Sequence, residues 1–178
     1  MAEIERKDLV TALIAAGPQP RLSGLDLSGL DLSHLDFHGA SLHGADLSNC
    51  NLHRTDLENC DLTRCNLTET DLTHARLRKA RLHHAILFRA QLDHADMHAA
   101  DLSHALLKEA SMREANAAEV FFKDSDLRSL QAQKADLRGA NFGGANWEGA
   151  NFEGAYLTGA INPPGSGVSS GMQHAVRH

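Results

Sequence analysis

From Arg21 to Ala160, apolar and polar positions recur with a period of five and without a slip. The segment opens RLSGL DLSGL DLSHL DFHGA SLHGA DLSNC and closes NFGGA NWEGA NFEGA YLTGA, making 28 consecutive units from 140 residues. The second place is Leu in most units, the exceptions being Phe37, Met97, Met112, Ala117, Phe122, Ala132, Phe142, Trp147 and Phe152. The fifth place is small, usually Ala, with Cys, Thr, Ser, Val and Leu as variants. The first is most often Asp or Asn, and the third and fourth are polar or Gly with few exceptions. A helix needs apolar recurrence at three and four, and a strand needs it at two. A period of five fits a chain that turns a corner in every unit and points its second and fifth side chains inward. One such unit cannot bury its apolar places alone, so the units must stack.

This pattern resembles the pentapeptide-repeat family, whose motif is roughly A(D/N)LXX. The resemblance covers residues 21–160, about four fifths of the chain. It implies an all-β solenoid, a right-handed quadrilateral β-helix with four units per coil and hence about seven coils. At strand spacing, ~4.8 Å per coil, the rod would be roughly 34 Å long. The periodicity by itself supplies only the inward and outward places. Side chains twenty apart would then stack in columns, with Leu52, Leu62, Leu72, Leu82, Leu92 and Leu102 expected in the core. Ala117 and Ala132 shrink the leucine place while Val120 and Leu130 enlarge the small place beside them, a volume compensation that cores tolerate.

The ends of a solenoid expose an open core layer and need cover. Residues 1–20 read as a short capping α-helix and linker, with Ile4, Leu9, Leu13 and Ile14 near one helical face and Gly17, Pro18 and Pro20 stopping it. Leu25, Leu30 and Leu35 make the first coil greasier than the rest and suit it to receive that lid. At the other end Phe142, Trp147, Phe152 and Leu157 fill the last coil with bulk. Two readings stand: an end-to-end contact between copies, giving a homodimer, or an aromatic plug covered by the tail. Residues 161–178, rich in Gly, Ser and Pro, read as a flexible tail.

Composition narrows the function. The 178 residues are 42% hydrophobic but only 4% aromatic, which suits a narrow interior of small and medium side chains. The net charge of −6 favours solubility and argues against nucleic-acid binding. No apolar run reaches membrane-spanning length, and Glu3, Glu5 and Asp8 precede the stretch Leu9 to Ala16 where a secretory signal would carry positive charge. A cytoplasmic location is expected. Cys50, Cys60 and Cys65 all take the inward fifth place and read as free core thiols. No phosphate loop, GxSxG or HExxH occurs, so neither catalysis nor a cofactor is expected.

The outer surface carries the remaining candidates. Ile86 and Leu106 stack on one outer face with Phe88 beside them, a candidate partner contact, because exposed apolar clusters mark interaction sites. Arg76, Arg78, Lys79, Arg81 and Arg89 form a basic middle without aromatic platforms, and read as a solvated face with ion pairs. Residues 21–75 are net negative by contrast. His34, His74 and His94 share one outward column with Arg54, and His84 and His104 share another; nothing there supplies a closed ligand set, and no metal site is assigned.

The leading function is a non-catalytic protein–protein interaction or scaffold module with an unknown protein partner, since a rigid wall lowers the entropic penalty of association. The resemblance implies an alternative. Some pentapeptide-repeat proteins resemble duplex DNA in width and charge and bind type II topoisomerases such as DNA gyrase, conferring quinolone resistance. This chain is expected to depart from that subgroup: it lacks the C-terminal dimer helix and any projecting loop, and it begins with a helix. Its acids are also offset by the basic middle.

Overall fold

The computed structural model describes residues 20–161. The expected capping helix with Ile4, Leu9, Leu13 and Ile14 lies outside the described residues, as does the tail beyond residue 161.

Every unit is built around one tight turn. The N–H of the fifth residue donates to the C=O of the second, as from Ala75 to Leu72 at 3.0 Å. The fourth residue has positive φ in all 28 units, a Gly in nine and another residue in 19. A left-handed residue in the third position of a hydrogen-bonded four-residue turn is the signature of type II geometry. The turn uses places two to five, so one residue per unit is left to pair with its neighbours. That residue is the first. It forms a parallel bridge with the residue twenty further on, from Arg21↔Ser41 to Asn141↔Ile161. A step of twenty is four units, so the chain winds as a four-sided coil, seven times over residues 21–160.

The expectation of an all-β solenoid needs one correction here. Among the described residues the bridges are isolated, and none extends into a strand of consecutive paired residues. The corner follows too soon after each pairing residue for a ladder to grow along the chain. The order runs up the rod instead.

Three hydrogen bonds per interior unit join the coils. In the unit Asp71–Ala75, Leu72 N–H donates to Gln91 C=O (2.7 Å) and His74 N–H to Asp93 C=O (3.1 Å) in the coil above. Asp71 N–H donates to Cys50 C=O (3.0 Å) in the coil below. The remaining N–H, on the third residue, is met by the first residue's side chain: Thr73 N–H donates to Asp71 Oδ1 at 2.9 Å. All 17 units that begin with Asp or Asn make this Asx-type bond. Buried or half-buried backbone groups must find partners, and this accounts for the Asp/Asn preference at the first place.

The interior is as the period requires. Leu52, Leu62, Leu72, Leu82, Leu92 and Leu102 are all buried. Each buried Leu contributes about 1.5–3 kcal/mol relative to exposure. The Cys and Thr side chains at the fifth place donate to the second-place carbonyl of the coil below: Cys50 Sγ to Leu27, Cys60 Sγ to Phe37, Cys65 Sγ to Leu42, Thr55 Oγ1 to Leu32 and Thr70 Oγ1 to Leu47, at 2.7–2.9 Å, whereas Ser125 Oγ donates to Phe122 C=O within its own unit at 2.7 Å. Ala117, Val120, Leu130 and Ala132 are buried without a break in the turn pattern. Leu25, Leu30 and Leu35 in the first coil are half-buried against the core. No helix among the described residues is long and apolar enough to cross a membrane.

Candidate interaction surface

The geometry of the unit decides what the surface shows. The first residue faces outward at the middle of a wall, and the third and fourth stand at the corner that follows. Numbered in chain order, the first wall carries the column Arg21, Ser41, Asp61, Arg81, Asp101, Phe121 and Asn141, and the second carries Asp26, Asp46, Asn66, Ile86, Leu106, Asp126 and Asn146. Ile86 and Leu106 are therefore direct bridge partners, 40% and 46% exposed, in a column otherwise made of carboxylates and amides.

Phe88 is less available than its place suggests. It is half-buried, and the Arg89 guanidinium lies 4.7 Å from its ring centre. Arg89 is held there by Glu109 (2.8 Å) in the coil above and Glu69 (3.7 Å) in the coil below. The hydrogen bond to Arg89 lowers the pKa of Glu109 and raises that of Arg89. The free apolar surface of this wall is thus Ile86 with Leu106, and Phe88 is a covered neighbour. Phe121, 46% exposed on the first wall, belongs with the apolar candidates, as do exposed Tyr156 and Ile161 near the last coil. A large apolar residue at the outward first place was the available signal for all three.

Between the first and second walls runs a corner whose fourth places stack Arg64, His84, His104 and Asp124. The His84 and His104 rings stack at 4.9 Å and 21°, and His83 sits 4.3 Å and 5.0 Å from them. His83 Nδ1 donates to Ser103 C=O at 2.9 Å. Asp124 Oδ2 is 3.9 Å from His104 Nε2. Desolvation first, then His83, His104 and Arg64, lowers the pKa of His84. A second imidazole stack, His34–His53–His74–His94, follows another corner with ring centres 4.9–5.8 Å apart, and Arg54 stands beside it. The His74 and His94 rings are stacked 7° from parallel, so their in-plane lone pairs lie in separate, near-parallel planes and do not converge on one ion as the rings stand.

His38, Asp56 and Glu58 are near enough to share an ion, with ligand atoms within 4.8 Å. Arg76 occupies that position instead, its guanidinium 2.7 Å from both carboxylates. The basic middle is likewise divided. Arg78 pairs with Asp96 (3.2 Å) and Arg81 with Asp61 (3.0 Å), each one coil away, and the bases spread over different walls. An open groove above Ala118, lined by Arg78, His98, Glu119, Asp136 and Arg138, is internally neutralised too, with Arg138 bound to Asp136 through two hydrogen bonds.

At the C-terminal end Phe142, Trp147 and Phe152 turn inward and are buried. Phe142 lies 5.3 Å from Trp147 and 6.0 Å from Phe152, and stacks on Phe122 at 5.4 Å. Leu157 stays half-buried.

The family model described as pentapeptide repeats matches residues 21–54, 50–87, 65–103, 95–130 and 135–161 of this coil. The chain belongs to the pentapeptide-repeat family. Pentapeptide-repeat proteins fold as right-handed quadrilateral β-helices, which assigns the hand of the coil described above. Among solved pentapeptide-repeat structures, HetL, involved in heterocyst differentiation regulation in the cyanobacterium Nostoc sp. strain PCC 7120, is 26% identical, with 89% of this chain and 82% of HetL covered and a TM-score of 0.68. QnrB1, a plasmid-mediated fluoroquinolone resistance protein, is 20% identical over 80% of this chain and 74% of its own, with a TM-score of 0.47. Rfr23 from the cyanobacterium Cyanothece 51142 is 20% identical over 86% of this chain and 98% of its own, with a TM-score of 0.35. No curated protein sequence matches the chain.

Proposed function

We propose that this pentapeptide-repeat chain is a non-catalytic interaction module that presents a rigid wall to a protein partner. The observation that carries the reading is the exposed, bridge-paired Ile86 and Leu106 in a column of acids and amides. These side chains stand outside the core, and large apolar groups stacked together on an otherwise polar wall mark a contact surface. The wall is pre-ordered by hydrogen bonds above and below, so a partner meets it without ordering the backbone. The test is affinity capture from the native host with the unaltered chain and with Ile86→Ser/Leu106→Ser. Loss of a captured protein supports the reading, and unchanged recovery removes the patch from it.

A contact between copies at the C-terminal end would be made by Leu157, Tyr156 and Ile161, because Phe142, Trp147 and Phe152 are already consumed by the core. Sedimentation of the chain and of Leu157→Glu measures it. A monomer at every concentration disposes of the contact.

The acidic surface favours a second reading, a DNA-like face for a type II topoisomerase. Asp26 bridges Asp46 and Asp36 bridges Asp56, which stacks carboxylates up two walls of the first coils. Higher up, Arg76, Arg78, Arg81 and Arg89 neutralise the acids they meet. Gyrase supercoiling with added protein decides it: protection or inhibition supports the mimic, and no effect at micromolar concentration rejects it.

A further inference from the structure

The four walls do not share the net charge. Taken with the corner that follows it, the first wall holds four bases (Arg21, Arg64, Arg81, Lys123) against three acids (Asp61, Asp101, Asp124), a net +1, while the other three carry −3, −2 and −2. Arg81 is paired with Asp61 at 3.0 Å. Arg64 and Lys123 make no ion pair among the described residues. Between them in height stands the His83, His84 and His104 cluster, whose rings lie 4.3–5.0 Å apart. Ile86 and Leu106 lie immediately past this corner on the second wall, and Phe121 lies immediately before it on the first. Of the cations without an ion pair among the described residues, Arg64 and Lys123 share one edge of the rod with the exposed apolar side chains of the middle coils, while Arg54 and Lys79 stand on other walls whose net charge is negative.

We infer that this edge receives an acidic protein segment whose carboxylates meet Arg64 and Lys123 and whose apolar side chains lie on Ile86, Leu106 and Phe121. The inference rests on the interaction-module reading and gives its partner a chemistry. Charge complementarity selects the occupant: a basic segment would meet two unpaired cations, whereas an acidic one would neutralise them. Among the described residues, a second copy of the chain would bring mostly acidic walls but no exposed large apolar residue outside the same edge and the last coil. Arg64 and Lys123 are three coils apart, roughly 14 Å at strand spacing. An extended segment spans that in about four residues. The matching ligand is a peptide with carboxylates about four residues apart and Leu or Phe between them.

The probe is such a peptide, fluorescently labelled, with a matched peptide carrying Lys at each acidic position, titrated with the full chain. The acidic peptide should bind and the basic one should not. Arg64→Glu/Lys123→Glu should weaken the acidic peptide at least about tenfold, the loss expected of two charge reversals at contact. Lys79→Glu, reversing another cation without an ion pair among the described residues on a different wall, should change it less than about twofold, and added salt should weaken binding. Equal binding of both peptides, or equal effects of the two charge variants, overturns the inference. Host-partner capture separates the two readings. If Ile86→Ser/Leu106→Ser abolishes capture while Arg64→Glu/Lys123→Glu does not, the contact stands and its acidic chemistry falls. If neither matters, both fall.

Discussion

Ala99 and Ala100 are neighbours of one residue type, yet the coil asks opposite things of them. Ala99 is a fourth-place residue with φ of 57°, half-buried, its side chain supporting no core contact. Ala100 is a fifth-place residue, fully buried, whose N–H closes the turn on Met97 C=O at 2.9 Å. Changing Ala99 to Gly relieves a left-handed residue of about 1–2 kcal/mol and gives back about 0.4–1 kcal/mol through the freer unfolded chain. The net is a stabilisation of about 0.5–1 kcal/mol, or roughly 2 °C in Tm for a chain of this length. Changing Ala100 to Gly removes a buried methyl of about 0.8 kcal/mol and adds the same chain-entropy cost of about 0.4–1 kcal/mol. That is about 1.5 kcal/mol of destabilisation, roughly 4 °C in Tm. The N–H of Ala99 donates to Ala118 C=O at 2.9 Å, a bond that Gly keeps. Thermal melts followed by circular dichroism, with urea unfolding as a second probe, measure both variants. Effects of the same sign would refute the assignment of strain to the fourth place and packing to the fifth.

Three further outcomes follow from the same coil. Asp71→Ala removes the acceptor for Thr73 N–H and Thr73 Oγ1, at 2.9 and 2.7 Å, and should cost about 1 kcal/mol in urea unfolding, whereas Asp71→Asn keeps the acceptor and should be close to neutral. Burial pushes the Cys50 thiol up to about 11 and those of Cys60 and Cys65 to about 12, so a disulfide-exchange reagent at neutral pH should label none of them until the coil unfolds. Desolvation and neighbouring positive groups lower His74 and His84, so the unfolded chain binds their protons more readily. Their stabilising contribution is complete above the unfolded value of 6.5 and is lost as pH falls from there through the lowered folded values. The melting temperature should therefore drop between pH 7.5 and 5.5, and His84→Gln should reduce that drop.

The inward places were legible because the requirement is local: whichever way the coil winds, a Leu every five residues with a small partner three places on must share one interior. The same logic exposed Ile86 and Leu106, since an apolar residue at the first place has nowhere to go but outward. Applied evenly it would also have found Phe121, which hid beside the second-place Phe122. The left-handed fourth place was half-legible, plain at Gly24 and Gly144 and concealed at His74, Glu109 and Lys134, where non-Gly residues accept the same φ under the hold of bonds above and below.

Period and place were thus set by the order of residues alone, because each unit's fate depends on its own five side chains. The partnerships between coils were not. That Asp56 meets Arg76, that Arg89 reaches Phe88 and is braced by Glu69 and Glu109, and that Arg64, the histidine cluster, Lys123 and the apolar residues fall along one edge all depend on the step of twenty. That step is a property of how four corners close on themselves, and no five-residue window contains it.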